Sequence, residues 1–296
     1  MQIGILGNEG SWYVADLTRA ATVRTHQTMR IDFPKLVAGV GIERPNVTAD
    51  DVDLTGLDAV IVRTMPPGTL EQVVFRMDAL ARLTTDAYIL NSPKAIECAV
   101  DKYLTTWRLA EMGLPVPPTI VCEDADAAME AFERLGGDVV VKPIFGSEGR
   151  GICRVSDPDL AFRTFRTLAR TGAVLYLQRT IDHPGFDVRV MILDGAVMGG
   201  MIRRNGSDFR TNVARRGSVE RHVPTEEESE WALRATKAVG ATFAGVDILY
   251  DRSGAGWVIE VNAVPGWRAF GKTTGIDVAT RVIQFLETRT NGRSDR

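Results

Sequence analysis

The sequence has few of the residues that build disulfide frameworks, zinc sites and histidine-based catalytic centres. Its 296 residues include three cysteines and three histidines. Cys98, Cys122 and Cys153 are odd in number and widely spaced, so we expect reduced, partly buried thiols. The histidines are equally scattered, and neither a nucleophile-elbow motif nor a paired-cysteine motif occurs. Disulfide-rich, zinc-dependent and histidine-dependent classes are therefore disfavoured.

The sequence also lacks a strong net charge and a long apolar run. The formal charge of -3 disfavours a protein that coats nucleic acid, although residues 201–221 form a locally basic segment. No apolar run reaches the ~18 residues that a membrane-spanning helix needs. The N-terminus shows no basic flank followed by an apolar core, as a targeting signal would. We therefore predict a cytoplasmic protein without a membrane partner.

The remaining composition is that of a globular protein. The chain is 45% hydrophobic and 25% charged, and no repeat or low-complexity tract occurs. Alternating strand and helix patterns indicate three α/β units, at 1–92, 93–181 and 182–290, followed by a polar tail at 291–296. Within the third unit, Asp194-Gly195 between two apolar runs predicts a tight hairpin.

A second predicted hairpin, near the C-terminus, carries three oxygen-bearing side chains. Two β-branched segments are separated by the turn-rich sequence DRSGAG. When the strands pair, Asp247, Glu260 and Asn262 can converge, since residues two apart in a strand share a face. Hard oxygen ligands that leave room for water and phosphate oxygens suit a nucleotide-bound Mg²⁺. The hairpin therefore predicts a magnesium site.

A glycine-rich loop follows a strand that ends in a lysine. In VVVKPIFGSEGRG, Lys142 ends the strand, and Gly146, Ser147, Gly149 and Gly151 lie beyond it. Glycines allow backbone N–H groups to turn toward phosphate oxygens, and the lysine supplies a point charge. The stretch is not a P-loop, since GxxxxGK[ST] is absent. Taken alone, it is equally well explained by a flexible hairpin with a surface lysine.

Other candidate residues have plain structural explanations when taken singly. Lys102 lies on a predicted helix beside an apolar line and would be solvated there. Gln178 ends a strand, where it could read an adenine edge or simply face solvent. Asp187 and Arg189 share a strand face, and an ion pair between them is the simplest explanation.

A dense group of arginines follows the next strand. Six arginines in nineteen residues suit the recognition of carboxylates or phosphates, which guanidinium groups bind in a bidentate fork. RNA binding is the competing interpretation, but Phe209 is the lone aromatic residue in this stretch. The group comprises Arg203, Arg204, Arg210, Arg215, Arg216 and Arg221, with Asn212 among them.

Taken in order along the chain, these segments resemble the ATP-grasp superfamily, and specifically the RimK-like α-L-glutamate ligases. The resemblance covers nearly the whole chain and is most specific in AGVDIL, EVNAVPGW, KTTGIDVA and DFRTNVARRG. It implies an ATP-grasp fold of mixed α/β and α+β character. Residues 1–92 would form a Rossmann-like pre-ATP-grasp domain, 93–181 the central and lid subdomain, and 182–290 the C-terminal subdomain with the magnesium site.

The resemblance also assigns roles to individual residues. ATP would lie between two subdomains, with two lysines on its phosphates, the glycine-rich loop closed over them, and a hinge after Gln178 reading the adenine. The implied nucleotide-binding residues are Lys102, Lys142, Ser147, Glu148, Gly149, Arg150, Gly151, Gln178, Arg179, Ile181 and Asp187. The implied residues near phosphoryl transfer and substrate are Arg189, Arg203 and Asn212, and the implied metal ligands are Asp247, Glu260 and Asn262.

Two departures from the family pattern concern the substrates. Arg179 stands where relatives often carry an acidic hinge residue, and Trp267-Arg268 stand where many carry smaller side chains. The segments Gly7 to Trp12 and Arg63 to Pro67 face the site in this family and are distinctive here. We expect these positions to determine the identity of the acceptor.

The implied reaction needs no side-chain nucleophile. A carboxylate attacks the γ-phosphate of ATP, and an amine then attacks the resulting acyl phosphate to form an amide, with Mg²⁺ or alternatively Mn²⁺ present. Glutamate is the expected amine, and a pterin or deazaflavin coenzyme the expected acceptor. The alternatives are the C-terminus of a ribosomal protein or an ATP-binding regulatory module without turnover. A homodimer or homotetramer is compatible with the resemblance.

Overall fold

The computed structural model describes residues 1–42, 46–146, 150–205 and 217–290. Within these ranges, the strands form four sheets, and the mixture of sheets and helices is the fold class that the sequence predicted. No helix in the described ranges is both long and apolar enough to cross a bilayer. The three cysteines are free thiols, with Cys98 buried and the other two half-buried.

The N-terminal unit is a four-stranded parallel sheet with cover on both faces. Its elements are β1 (Gln2–Leu6), α1 (Trp12–Val23), β2 (Gln27–Ile31), β3 (Leu36–Ala38), β4 (Val47–Ala49), β5 (Val52–Asp53), β6 (Ala59–Val62), α2 (Leu70–Leu83) and β7 (Tyr88–Leu90). The parallel strands have the order β2-β1-β6-β7. The small antiparallel sheet β3-β4-β5 packs with α2 on one face, and α1 lies on the other. Burial on both faces explains the continuous apolar runs of β1 and β6.

The middle unit is an antiparallel sheet preceded by two helices. Its elements are α3 (Pro93–Val100), α4 (Lys102–Glu111), β8 (Thr119–Cys122), α5 (Ala125–Arg134), β9 (Val139–Lys142), β10 (Cys153–Val155), α6 (Pro158–Arg170) and β11 (Leu175–Arg179). The strand order is β10-β9-β11-β8. Asp101 separates the two helices, because its carboxylate caps α4 by accepting the Leu104 N–H at 2.9 Å.

The C-terminal unit is a five-stranded antiparallel sheet. Its elements are β12 (Phe186–Leu193), β13 (Ala196–Arg204), β14 (Ser218–His222), α7 (Glu226–Val239), β15 (Phe243–Tyr250), β16 (Gly256–Asn262), α8 (Arg268–Thr274) and α9 (Val278–Thr290). The strand order is β14-β13-β12-β15-β16. Both predicted hairpins are confirmed, and Asp194 and Gly195 have positive φ angles of 51° and 69° at the turn between β12 and β13.

The two faces of this sheet have different partners. One face packs in a core with α7 and with Leu109 and Leu114 from the middle part of the chain. The sheet contributes Val190, Val246 and Ile248 to this core. The opposite face joins a core that includes α9, α1 and the N-terminal sheet. The C-terminal helix α9 thus packs against both the N-terminal unit and the C-terminal sheet.

Asn91 joins the N-terminal sheet to the C-terminal sheet. Its side chain is buried, and Nδ2 donates to the carbonyl oxygens of Phe243 and Ala263, both at 2.6 Å. Its Oδ1 accepts the N–H groups of Thr242 and Phe243 at 2.7 and 2.9 Å. The amide therefore uses its full hydrogen-bonding capacity on the start of β15 and the end of β16. This clamp fixes the position of the strands that carry the predicted metal ligands.

Candidate active site

A cavity of about 530 Å³ lies between the middle and C-terminal sheets. Its lining combines one wall from β9 and β11 with a second wall from β12, β15 and β16. Nine residues that the sequence singled out reach it: Lys102, Lys142, Gly146, Gln178, Arg179, Ile181, Asp187, Asp247 and Glu260. The fold thus brings together residues that are up to 158 positions apart, from Lys102 to Glu260.

Lys142 is a half-buried cation held by an amide. Its Nζ donates to Gln178 Oε1 at 2.6 Å, and burial lowers the pKa of Lys142 to about 8. The Gln178 Nε2 donates in turn to Thr119 Oγ1 at 2.9 Å and to the Tyr176 hydroxyl at 3.1 Å. Both ends of the Gln178 amide are therefore engaged, and this side chain orients Lys142.

Lys102 lies on the cavity wall and is half-buried. Its Nζ donates to the carbonyl of Gly146 at 2.8 Å, and burial lowers its pKa. The apolar line that the sequence places on this helix is the outer one, since Tyr103 and Trp107 are 50% and 48% exposed. Lys102 itself therefore faces the cavity rather than the outer surface of the helix.

Glu260 is a half-buried carboxylate that forms no hydrogen bond or ion pair within the described part of the chain. Burial and the negative charge of Asp247 raise its pKa, while Arg189, Lys102 and Lys142 act in the opposite direction. A carboxylate that is partly removed from water and lacks a bonded partner is destabilised, and a bound cation would relieve that cost. Its oxygen chemistry fits Mg²⁺.

Asp247 lies opposite Glu260 on the neighbouring strand and is, in contrast, fully paired. Arg189 binds both of its oxygens, with Nε and Nη2 at 2.7 Å, and Arg203 Nη2 lies 2.8 Å from Oδ2. Arg203 also binds Asp187 in a fork, at 2.7 and 2.5 Å. Burial alone would raise the pKa of Asp247, but the two arginines hold it below its ordinary value.

The third predicted metal ligand shapes the loop after β16. The Asn262 Oδ1 accepts the Val264 N–H at 2.9 Å. Carboxylate and amide oxygens each have two lone pairs, so Asp247 and Asn262 keep acceptor capacity beside these bonds. Glu260 is nevertheless the ligand candidate whose oxygens form no bonds within the described chain.

Several predicted residues lie away from the cavity wall or outside the described residues. Arg189 and Arg203 act on the cavity through Asp247 and Asp187, and Gly151 has a φ of 73°, which explains the glycine there. Arg204 forms an exposed pair with Glu220 at 2.7 Å. The predicted residues outside the described ranges are Ser147, Glu148, Gly149, Arg210, Asn212, Arg215, Arg216 and the tail 291–296.

Two further polar residues, Tyr176 and Asn205, line the cavity and were not predicted from the sequence. Tyr176 precedes Gln178 by two positions and so shares its strand face, and its hydroxyl lies 2.8 Å from Thr106 Oγ1. Asn205 follows Arg203 by two positions, directly after the end of β13, and is buried on the cavity wall. The two-residue spacing places each of them on the same face as a predicted site residue, but an isolated tyrosine or asparagine does not by itself indicate a site.

Family comparison covers nearly all of the chain. The model of the RimK-like ATP-grasp domain matches residues 99–286, and that of the RimK pre-ATP-grasp domain matches residues 1–96. The chain belongs to the RimK-like ATP-grasp family. It is therefore an ATP-dependent ligase of a family that uses ATP and Mg²⁺, which confirms the resemblance drawn from the motifs.

Individual relatives of this RimK-like ligase agree with that placement. It is 35% identical to the tetrahydromethanopterin:α-L-glutamate ligase of Methanosarcina acetivorans, over 81% of this chain and 82% of that protein. A Methanococcus maripaludis protein of the same name is 30% identical over 96% and 97% of the two chains. The probable α-L-glutamate ligase of Nitrosococcus oceani is 31% identical over 99% and 100%.

The ATP-grasp fold is confirmed by a solved structure. The ligase PsnB, in complex with a minimal precursor, Mg and ADP, matches with a TM-score of 0.76 and 22% identity. The match covers 97% of each chain. The predicted fold class, with its pre-ATP-grasp domain, is thus correct.

Proposed function

We propose that this enzyme joins L-glutamate through an amide bond to the carboxylate of a small, anionic acceptor of the pterin or deazaflavin coenzyme class. The observation that carries the proposal is the cavity in which Lys102 and Lys142 face the unpaired carboxylate of Glu260. The names of two relatives, which act on tetrahydromethanopterin, support the choice of acceptor.

The lysine wall would bind the triphosphate of ATP. Lys142 is held by Gln178, so its charge is preorganised where phosphate oxygens would lie. Negative charge on the phosphates would raise the lowered pKa of Lys142 and keep it protonated. Preorganised cations accelerate phosphoryl transfer mainly by neutralising charge, which is consistent with a reaction that needs no side-chain nucleophile.

The opposite wall would hold the metal. Glu260, with Asp247 and Asn262, offers the oxygen ligands, and Arg189 and Arg203 keep Asp247 ionised and in place. When bound, the metal would neutralise charge on the transferred phosphoryl group. We propose Mg²⁺, with Mn²⁺ as a replacement of similar ligand preference.

The substrate carboxylate would attack the γ-phosphorus of ATP and release ADP. The glutamate amine would then attack the carbonyl carbon of the acyl phosphate, and inorganic phosphate would leave as the amide forms. The chain's own contribution is to position both groups and to exclude water, since water would hydrolyse the acyl phosphate.

Incubation with ATP, Mg²⁺, L-glutamate and candidate acceptors tests this function. We expect ADP to form only when both glutamate and a pterin- or deazaflavin-type acceptor are present, with a product mass increased by one glutamyl unit. A peptide ending like a ribosomal protein serves as the competing acceptor. Tight ATP binding without ADP release for any acceptor would instead identify a regulatory module.

The location and assembly of the protein complete the proposal. We propose that the enzyme acts in the cytoplasm, where ATP and coenzyme precursors are available. We also propose that it forms a homodimer or homotetramer. Sedimentation velocity at several protein concentrations tests the assembly, and a single monomeric species at every concentration would contradict it.

A further inference from the structure

Arg63 is a buried cation without a carboxylate partner among the described residues. It follows β6, and its side chain is 6% exposed. Its Nη2 donates to the Pro265 carbonyl at 2.8 Å, while its Nε is completely buried and has no hydrogen-bond partner. Unsatisfied buried donors are rare in folded proteins and call for an explanation.

Two aromatic rings enclose the Arg63 guanidinium. Its central carbon lies 4.3 Å from the centre of the Trp267 ring and 5.0 Å from that of Tyr13. Aromatic faces attract a cation but accept little hydrogen bonding and do not neutralise its charge. Burial consequently lowers the pKa of Arg63 to about 10.

Two other buried arginines show how the protein satisfies such a group elsewhere. Arg203 has two carboxylates in direct contact. Arg76 donates to the Pro66 carbonyl at 2.8 Å and leaves no completely buried nitrogen without a partner. Arg63 differs from both, because it has a buried nitrogen without a hydrogen-bond partner and no carboxylate near its charge among the described residues.

Arg63 lies between the end of the N-terminal strand β6 and the loop after β16. It lies at the carboxyl edge of the parallel sheet, the edge at which open α/β sheets bind their ligands. Through Pro265 it also touches the loop that begins at Ala263, directly after the strand that carries Glu260. A group bound beside Arg63 would therefore be next to the loop that borders the proposed reaction site.

We propose that Arg63 binds a non-reacting carboxylate of a substrate and thereby selects dicarboxylate substrates. This inference rests on the proposed function, in which glutamate always supplies such a group and the anionic acceptor is a second source. Glutamate has two carboxylates that take no part in the amide bond, and an acidic acceptor can have one beside the carboxylate that reacts. A planar guanidinium recognises a carboxylate through charge-assisted hydrogen bonds, which the aromatic rings cannot provide.

The test pairs a change in the protein with a change in the ligand. Binding of L-glutamate, and of N-acetyl-L-glutamate as an acceptor-like probe without a free amine, is measured by calorimetry with AMP-PNP and Mg²⁺ present. Each probe is compared with its carboxamide forms, L-glutamine and L-isoglutamine for glutamate, and N-acetyl-L-glutamine for the acceptor-like probe. The proteins are the wild type, R63K, R63M and the matched control R76M.

We expect the wild type to bind one of the two carboxylate probes roughly tenfold to a hundredfold more tightly than its amide, as a charge-assisted hydrogen bond would provide. R63M should lose this preference, and R63K should keep part of it. R76M should lower the melting temperature but keep the preference, and AMP-PNP should bind equally to all four proteins. The probe that is affected identifies which substrate contacts Arg63.

Three outcomes would overturn the inference. An unchanged carboxylate preference in R63M would mean that Arg63 serves packing alone. Equal loss in R76M would attribute the effect to general loosening of this sheet edge. A wild type that forms the glutamyl product but shows no preference refutes the inference while the proposed function stands, whereas one that binds neither probe and forms no product refutes both.

Discussion

The two halves of the charged cluster around the cavity differ in how their charges are balanced. In the Asp187–Arg203–Asp247–Arg189 network, each arginine binds a carboxylate in a fork. In the Lys102–Lys142–Glu260 group, the carboxylate is unpaired and both lysines have a pKa lowered by burial. The protein thus balances the charges of the fully buried carboxylates Asp187 and Asp247, and leaves the charges of the half-buried group unbalanced, where ligands with the complementary charges are expected.

Removing Arg203 should produce the largest effect on stability. Arg203→Met removes the guanidinium fork from Asp187 and leaves Asp247 with one arginine, so we expect the free energy of unfolding to fall by roughly 3–5 kcal/mol. Urea unfolding at neutral pH measures this. Arg204→Met, which breaks the exposed pair with Glu220, is the matched control and should cost less than about 1 kcal/mol. Similar losses for both variants would remove the distinction between the two halves.

In contrast to Arg203→Met, Glu260→Gln should cause a large loss of activity and no loss of stability. Loss of a preorganised charge should reduce ADP formation by roughly 100-fold. Because burial raises the pKa of Glu260, its ionised form is unfavourable in the folded state at neutral pH, so the neutral glutamine should unfold no more easily. ADP release and urea unfolding are measured on the same sample. Unchanged turnover would contradict the metal assignment.

Replacing Gln178 should weaken ATP binding through Lys142. Gln178→Leu removes the acceptor at 2.6 Å that orients the ammonium group, so we expect the Kd for ATP to rise about tenfold. Isothermal titration calorimetry with AMP-PNP and Mg²⁺ provides the measurement. Thr119→Val removes only the outer bond to Gln178 and should have a smaller effect. An unaltered Kd in Gln178→Leu would place ATP away from Lys142.

The pH dependence of ATP binding should show the smallest effect. Lys142 has a pKa of about 8, so it is charged below that pH and loses its proton above it. We expect the Kd for ATP to rise by up to about tenfold between pH 7 and pH 9, with proton uptake on binding near pH 8. Lys142→Arg keeps its charge throughout this range and should show a flat profile.

The same pKa has a consequence for folding. An unfolded lysine stays protonated to higher pH than Lys142 in the folded chain, so the unfolded state binds more protons above pH 8. The contribution of Lys142 to the free energy of unfolding should therefore increase with pH in that window. For the binding experiment, a wild-type Kd for ATP that stays constant between pH 7 and pH 9 would indicate that Lys142 does not contact the nucleotide.

Much of the fold and part of the candidate site could be predicted from local patterns. The metal hairpin, the Asp194-Gly195 turn and the strand that ends at Lys142 all follow from alternation and turn residues. The strand β2 and the small sheet β3-β4-β5 were missed, because β2 has a largely polar pattern and the small strands span three residues or fewer. Short elements of this kind are stabilised by packing more than by their own sequence.

The sequence by itself determined the family, the ligase chemistry and the residues that carry its charges, because those depend on residue types and on spacing within single strands. Only the tertiary structure decided how those charges are shared. Arg189 and Arg203 converge on Asp247, Gln178 binds Lys142, and Arg63 is left with aromatic rings in place of a carboxylate. Whether a charged group has a partner depends on strands that meet across the sheet and on loops from distant parts of the chain.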